Sequence, residues 1–196
     1  MDDLYRLLAS YDPSDVPMHW FYAVWVEGTP VEEAVALLKG DPASGVPDRF
    51  EGCWGWVDED DEGALLAGPI GDWTLLIGDW RPTEEDALVT LTRGGGRAFA
   101  VSWNEDGTSF LKYAAGGQVV TAFDLFSPAE RHGADPAALD PFMDGLRFDI
   151  DDAEPAESFT SALTVIGRVT GRRLDREWLD APHTTYSIPR PAAIAP

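Results

Sequence analysis

Cysteine is almost absent from this sequence: Cys53 is the only one in 196 residues. A lone cysteine forms no intramolecular disulfide and no cysteine-rich zinc site, and it leaves the chain compatible with a reducing cytosol. Lysine is nearly as scarce. Lys39 and Lys112 are the two lysines among 14 basic residues, set against 35 acids for a formal net charge of −21. That balance argues against nucleic acid or an anionic membrane surface as a direct ligand, since both need a basic footprint. Long apolar runs are missing too. The longest, "WFYAVWV" (20 to 26), is far short of the ~20 residues of a membrane span. The first residues, "MDDLYRLLAS", carry acids where a secretory leader carries bases. The expectation is a soluble, cytoplasmic protein.

Catalytic and metal-binding patterns are equally thin. The three histidines, His19, His132 and His183, stand singly, with no His-x-x-x-His pair. Cys53 has no local nucleophile signature, and Trp54 beside it points to a buried thiol packing as a small hydrophobe. No Gly-x-Ser-x-Gly elbow is present. The acid runs 58 to 62 and 149 to 152 lack the spaced ligands of a calcium loop and read as solvated acid loops. "RGGGR" (93 to 97) follows a helical segment and precedes a strand, the reverse of a phosphate loop. The expectation is no catalytic residue, no metal ligand and no cofactor.

What the chain does have is material for a core: 44% hydrophobic residues and eight tryptophans. A chain of this size buries about 70% of the surface that its unfolded form exposes. Leu4, Leu7, Leu8 and Tyr11 follow helical spacing over 3 to 11. "HWFYAVWVE" (19 to 27) reads as a strand buried on both faces. "GTPVEEAVALLKG" (28 to 40) predicts a helix with Thr29 as cap, Pro30 at the first position, acids in the first turn and Gly40 as stop. Residues 41 to 50 read as loop, "CWGWV" (53 to 57) as a short strand, and 64 to 68 and 72 to 77 as two strands parted by Gly68, Pro69 and Gly71. "TEEDALVTLTRGGG" repeats the helix grammar, with Thr83 as cap and Gly94 as stop.

A meander follows. Strands at 97 to 104, 108 to 115 and 118 to 126 are joined by the Asp106-Gly107 and Gly116-Gly117 turns. Alternation places Phe99, Val101 and Trp103 on one face, and separates Phe110, Lys112 and Ala114 from Leu111 and Tyr113. Further helices are expected at 134 to 145 with Asp135 as cap, at 157 to 170 stopped by Gly171, and after Asp175. The fold class is then α+β: a single antiparallel sheet of about five or six strands with helices packed mainly on one face. It forms one domain over 1 to 188 with a Pro-rich, frayed tail at 189 to 196.

Several stretches together resemble a family of actinobacterial proteins that carries a domain of unknown function. They are "GTPVEEAVALLKG", "GDWTLLIGDW", "LTRGGGRAFAVSWNEDGTSFLKYAAGGQVVTAFDL", "RHGADPAALDPFMDGL" and "VTGRRLDREWL". The resemblance covers about residues 18 to 180. It implies no activity; it implies an association with conflict and secretion neighbourhoods, where toxin-immunity proteins occur.

Three functions stay open. One is an acidic protein-binding module, such as an immunity or antitoxin-like inhibitor of a basic toxin, steered by charge. Its contact surface is expected at Trp54, Trp56, Asp58, Glu59, Asp60, Asp61 and Glu62. Trp54 and Trp56 share one strand face beside the acid run, whereas the other tryptophans sit in core-like strands. The second is an enzyme or small-molecule binder with a pocket between sheet and helices, for which converging ionisable groups are the mark. The third is a scaffold component of a secretion or biosynthetic assembly. The partner's identity and the oligomeric state are open.

Overall fold

The computed structural model describes residues 3–12, 20–51, 63–104, 106–148 and 155–188. Nine strands among them form one sheet in which every pairing is antiparallel. They are β1 (Phe21–Glu27), β2 (Val46–Asp48), β3 (Gly63–Ile70), β4 (Trp73–Gly78), β5 (Arg97–Trp103), β6 (Ser109–Ala115), β7 (Gln118–Asp124), β8 (Arg131–His132) and β9 (His183–Ile188). The spatial order is β2-β9-β3-β4-β1-β5-β6-β7-β8. The first long strand therefore lies mid-sheet, and the last strand inserts between β2 and β3.

The sheet is larger than the five or six strands expected from alternation. β2 falls in the segment read as loop, and β8 and β9 went unassigned. The reason is physical. β2 and β8 have three and two residues, too few to display a period, and β9 reads "HTTYSI", with polar side chains at most positions. Only their pairing partners identify them as strands. Both edges are also poor templates for a further strand: β2 is short and carries Pro47, and β8 is a two-residue stub.

Helices cover both faces instead of mainly one. On the first face, Ala23 and Trp25 of β1, Leu75 and Ile77 of β4, Phe99 and Trp103 of β5 and Phe123 of β7 form one core. Against it pack α1 (Leu4–Ala9), α5 (Pro155–Thr170) and α6 (Arg176–Asp180). The opposite parity, Val24 and Val26, Leu76, Ala98 and Ala100, and Ala114, builds a second core under α2 (Val31–Leu37) and α3 (Glu85–Thr92). Bulk divides by parity. The aromatics lie on the first face, and the alanines of β5 and β6 on the second let α3 approach the sheet closely. A short α4 (Asp140–Met143) stands where a longer helix from Asp135 was expected.

Other local expectations shift by a residue or two. Pro30, not Thr29, holds the N-cap position of α2, without a side-chain cap. The Thr29 carbonyl instead accepts from the Thr74 hydroxyl at 2.6 Å. The left-handed residue ending α2 is Lys39, at φ 64°, while Gly40 is needed for space: a Cβ there would lie 2.7 Å from Val35 Cγ1. Asp175 caps α6 as expected, accepting from the Trp178 amide at 3.1 Å, and Gly171 stops α5 at φ 72°.

Gly68 and Pro69 do not divide a strand, because β3 runs through both. Gly68 leaves room for the His183 imidazole, which occupies the volume that a Cβ would take. The β9 ladder ends at Ala67, so Pro69 has a strand neighbour on one side only, and its carbonyl accepts from Trp178 Nε1 at 3.0 Å. His183 is buried, stacked on Trp178 at 3.9 Å, with Nε2 2.7 Å from the Trp178 carbonyl. A carbonyl only accepts, so Nε2 carries the proton, and Nδ1 is buried without a partner. Burial holds this imidazole below its ordinary value of 6.5 despite the carbonyl. The folded state thus resists a proton that the unfolded chain takes up. The neutral ring's contribution is complete above pH 6.5 and is lost as pH falls below it toward the folded value. Urea unfolding at stepped pH is expected to show a stability decline below pH 6.5 that is shallower in His183→Gln. Parallel profiles for the two proteins would refute this role.

Candidate functional site

The face carrying α2 and α3 is not covered along its whole length. Where β1, β5 and β6 run beyond α3, Tyr22, Ser102 and Phe110 stand side by side in the cross-strand register. Lys112, two residues along β6 from Phe110, shares their face. These four are the floor of a cleft of about 520 Å³. The rest of its lining is Trp80, Thr83 at the end of the 3₁₀ turn Arg81–Thr83, Glu84 and Glu85 at the start of α3, His132 of β8, and Asn104 and Thr108.

Each wall is held locally. Thr83 closes the 3₁₀ turn through its amide (2.9 Å) and hydroxyl (2.6 Å), both donating to the Trp80 carbonyl. Thr83 was expected to cap α3; its side chain is spent on this turn, and Glu84 takes the cap position without a side-chain bond. Arg81 grips Asp79 in a two-point pair, with Nε and Nη2 each 2.7 Å from a carboxylate oxygen. That pair fixes the chain as it leaves β4 and so aims Trp80. Between β5 and β6 the Asn104 side-chain oxygen accepts from the Thr108 amide at 3.0 Å.

The electrostatics of the cleft centre on Lys112. Among the described residues it is the one Lys, Arg, Asp or Glu that is buried. Its ammonium donates to the Thr83 carbonyl at 3.0 Å, lies 5.3 Å from the centre of the Phe110 ring, and stands 3.7 Å from Glu84 Oε1. The last distance exceeds the 2.7–2.9 Å of a charge-assisted hydrogen bond. Within the lining, His132 Nε2 and Glu85 Oε1 are 2.7 Å apart, which ties β8 to α3. Both are exposed, so this pair contributes little to stability.

Trp80 is 54% exposed. Trp25, Trp73, Trp103 and Trp178 are buried, as a core reading of the strand tryptophans requires. The repeated Gly-Asp-Trp of 71 to 80 therefore places its two rings on different layers. Trp73 joins the core under α5, and Trp80 lines the cleft on the other side. The surface expected at Trp54, Trp56, Asp58, Glu59, Asp60, Asp61 and Glu62 lies outside the described residues, as do Cys53, His19, the acids at 149 to 152 and the Pro-rich tail. None of the cleft residues was singled out as a site in the sequence. One signal pointed there: a lysine in the middle of an otherwise apolar strand, in a chain with only two.

A second polar cluster is structural in character. The Tyr11 hydroxyl donates to Asp180 at 2.6 Å, with Arg176 Nη1 3.3 Å away, and ties the end of α1 to α6. Burial, and then the Asp180 carboxylate, push the phenol up to about 12, so it stays a donor at any physiological pH. Among the described residues no three His, Cys, Asp or Glu side chains are grouped to hold a metal ion. No described helix is long and apolar enough to cross a membrane.

The sheet, the helices α2 to α6 and the cleft all fall within residues 21–192, the span over which the chain matches the model of a family of unknown function, DUF6461. The chain belongs to the DUF6461 family. The match runs from the first residue of β1 to beyond β9 and so takes in all nine strands of the sheet. α1 precedes the matched span and docks against α5 on the first face. No curated protein and no solved structure matches the chain.

Proposed function

We propose that this DUF6461 protein is a binding module for a small polar molecule, and that the cleft between the sheet and α3 is its receptor. The observation that carries this reading is Lys112. Burying an ammonium is costly, and Met would fill the same strand position without that penalty. Its partners, one carbonyl and a carboxylate beyond hydrogen-bond length, leave part of its donor capacity for a ligand. Ionisable groups from β6, β8 and α3 converge on the same cleft, beside an exposed indole, which is the usual make-up of a small-molecule site. The test is a fragment screen by 1H–15N NMR, with the Trp80 indole N–H assigned through Trp80→Phe. Hits are expected to cluster on Trp80 and on the amides of Ser102, Phe110 and Lys112. Hits scattered over the surface, or none, would overturn the reading.

The charge of −21 favours a second reading: an acidic module, of the immunity or antitoxin kind, for a basic protein partner. Trp54, Trp56 and the acids 58 to 62 are its proposed contact surface, and an actinobacterial, cytoplasmic setting belongs with it. Neutralising those five acids is expected to slow association with the basic product of a neighbouring gene and to flatten its salt dependence. Unchanged association would remove this reading.

A further inference from the structure

The charges in the cleft restrict what it can hold. A simple cation drawn to Glu84, Glu85 and the face of Trp80 meets the Lys112 ammonium in the floor. A simple anion drawn to Lys112 meets Glu84 and Glu85 on the wall, on a protein of net charge −21. Within the floor, each polar side chain has a hydrogen to donate. Lys112 has three N–H bonds and spends one on Thr83, and Tyr22 and Ser102, each with a hydroxyl able to donate or accept, line the cleft with it. The wall, by contrast, offers carboxylates and an indole face, which accept from or attract a cation. Lys112 and Glu84 stand 3.7 Å apart, opposed but not closed into a hydrogen bond.

From this opposition we infer that the ligand is a compact zwitterion of the amino-acid type. Its carboxylate accepts from Lys112 and Ser102, and its cationic nitrogen lies against Glu84 and the ring of Trp80. Such a molecule carries no net charge, so the overall field of the protein does not repel it, and each end meets the group of opposite sign. This inference rests on the cleft being the receptor.

The test uses the intact protein and a panel of the common amino acids with glycine betaine, followed by calorimetry and by the Trp80 indole signal. Each member is compared with its methyl ester, which lacks the anion, and each amino acid with its N-acetyl form, which lacks the cation. At least one free zwitterion is expected to shift the Trp80 signal and to bind about tenfold or more tightly than either blocked form. Lys112→Met should erase the preference over the ester, and Glu84→Gln the preference over the N-acetyl form. Glu84 is exposed, so its variant carries the test should Lys112→Met fail to fold. Zwitterions that do not bind, or that bind no better than their blocked forms, overturn the inference. If blocked forms or unrelated fragments still shift Trp80, the cleft remains a receptor and only the zwitterion is wrong. If nothing shifts Trp80, both fall.

Discussion

Gly78→Ala is expected to destabilise the protein by about 3 kcal/mol or more, the sum of a strained backbone and a steric clash. Gly78 has φ 140°, a conformation that residues with a Cβ rarely adopt. Its neighbour across the ladder makes matters worse. Gly78 pairs with Leu65 of β3, and a Cβ would fall on the Ala64 carbonyl oxygen, well inside van der Waals contact. That oxygen is not free to move, because it already accepts from the Asp79 amide at 3.1 Å. Relief requires β4 to part from β3 where the chain turns toward the Asp79–Arg81 pair and Trp80. For a domain of this size the loss corresponds to a fall in Tm of roughly 10 °C. The control is Gly94→Ala. Gly94 has no positive φ and nothing near its would-be Cβ, so a change within about 0.5 kcal/mol is expected there. Thermal and urea unfolding measure both, and equal effects at the two glycines would sink the argument.

The second large effect is expected at Trp103. Its indole is 1% exposed and lies between two rings, Phe21 at 4.6 Å and Phe159 at 4.4 Å, the latter nearly parallel at 11°. Tyr5 of α1 touches the same cluster at 6.3 Å from Trp103 and 5.5 Å from Phe159. The cluster therefore joins β1 and β5 to α5 and α1 in one contact. Deleting a buried aromatic to alanine commonly costs about 3–5 kcal/mol, and each lost ring pair adds roughly 0.5–1.5 beyond area burial. Trp103→Ala is expected at the upper end of that range, because the void is shared by four elements that cannot all close on it. Amide exchange should accelerate in α1 and in the part of α5 near Phe159 before it does in α3, which packs on the other face. Trp80→Ala provides the contrast: an exposed ring whose removal should change stability by less than about 1 kcal/mol. A urea midpoint for Trp103→Ala close to that of Trp80→Ala would show that the cluster does not bind the layers together.

Much of the local structure was legible. The β5–β6–β7 meander follows from alternation broken by Asp106-Gly107 and Gly116-Gly117, and α5 and α6 follow from their stripes, Gly171 and the Asp175 cap. These signals act over a few residues, so a linear reading captures them. The helix starts at Thr29 and Thr83 misled because a threonine hydroxyl has other uses in a folded chain. Thr83 donates to the Trp80 carbonyl, and Thr29 donates back to the Glu27 carbonyl at 3.3 Å. The cleft was not legible, since its residues run from Tyr22 to His132 and come from three long strands, an edge strand and a helix start. The parity of Lys112 with Phe110 and Ala114 was evident. That this parity faces α3 was not.

The sequence by itself determined the class of fold, the turns and stops, the two-sided burial of β1 and the acidic charge. Each depends on side-chain period, on backbone chemistry at glycine and proline, or on simple counting. Only the tertiary structure decided the nine-strand order, the insertion of β9 beside β3, the division of helices between the two faces, and the convergence of Trp80, Glu84 and Lys112. Those depend on which apolar surfaces find one another across long separations. Burial rewards any complementary pair of faces in proportion to area, and no short stretch of chain encodes which pair will meet.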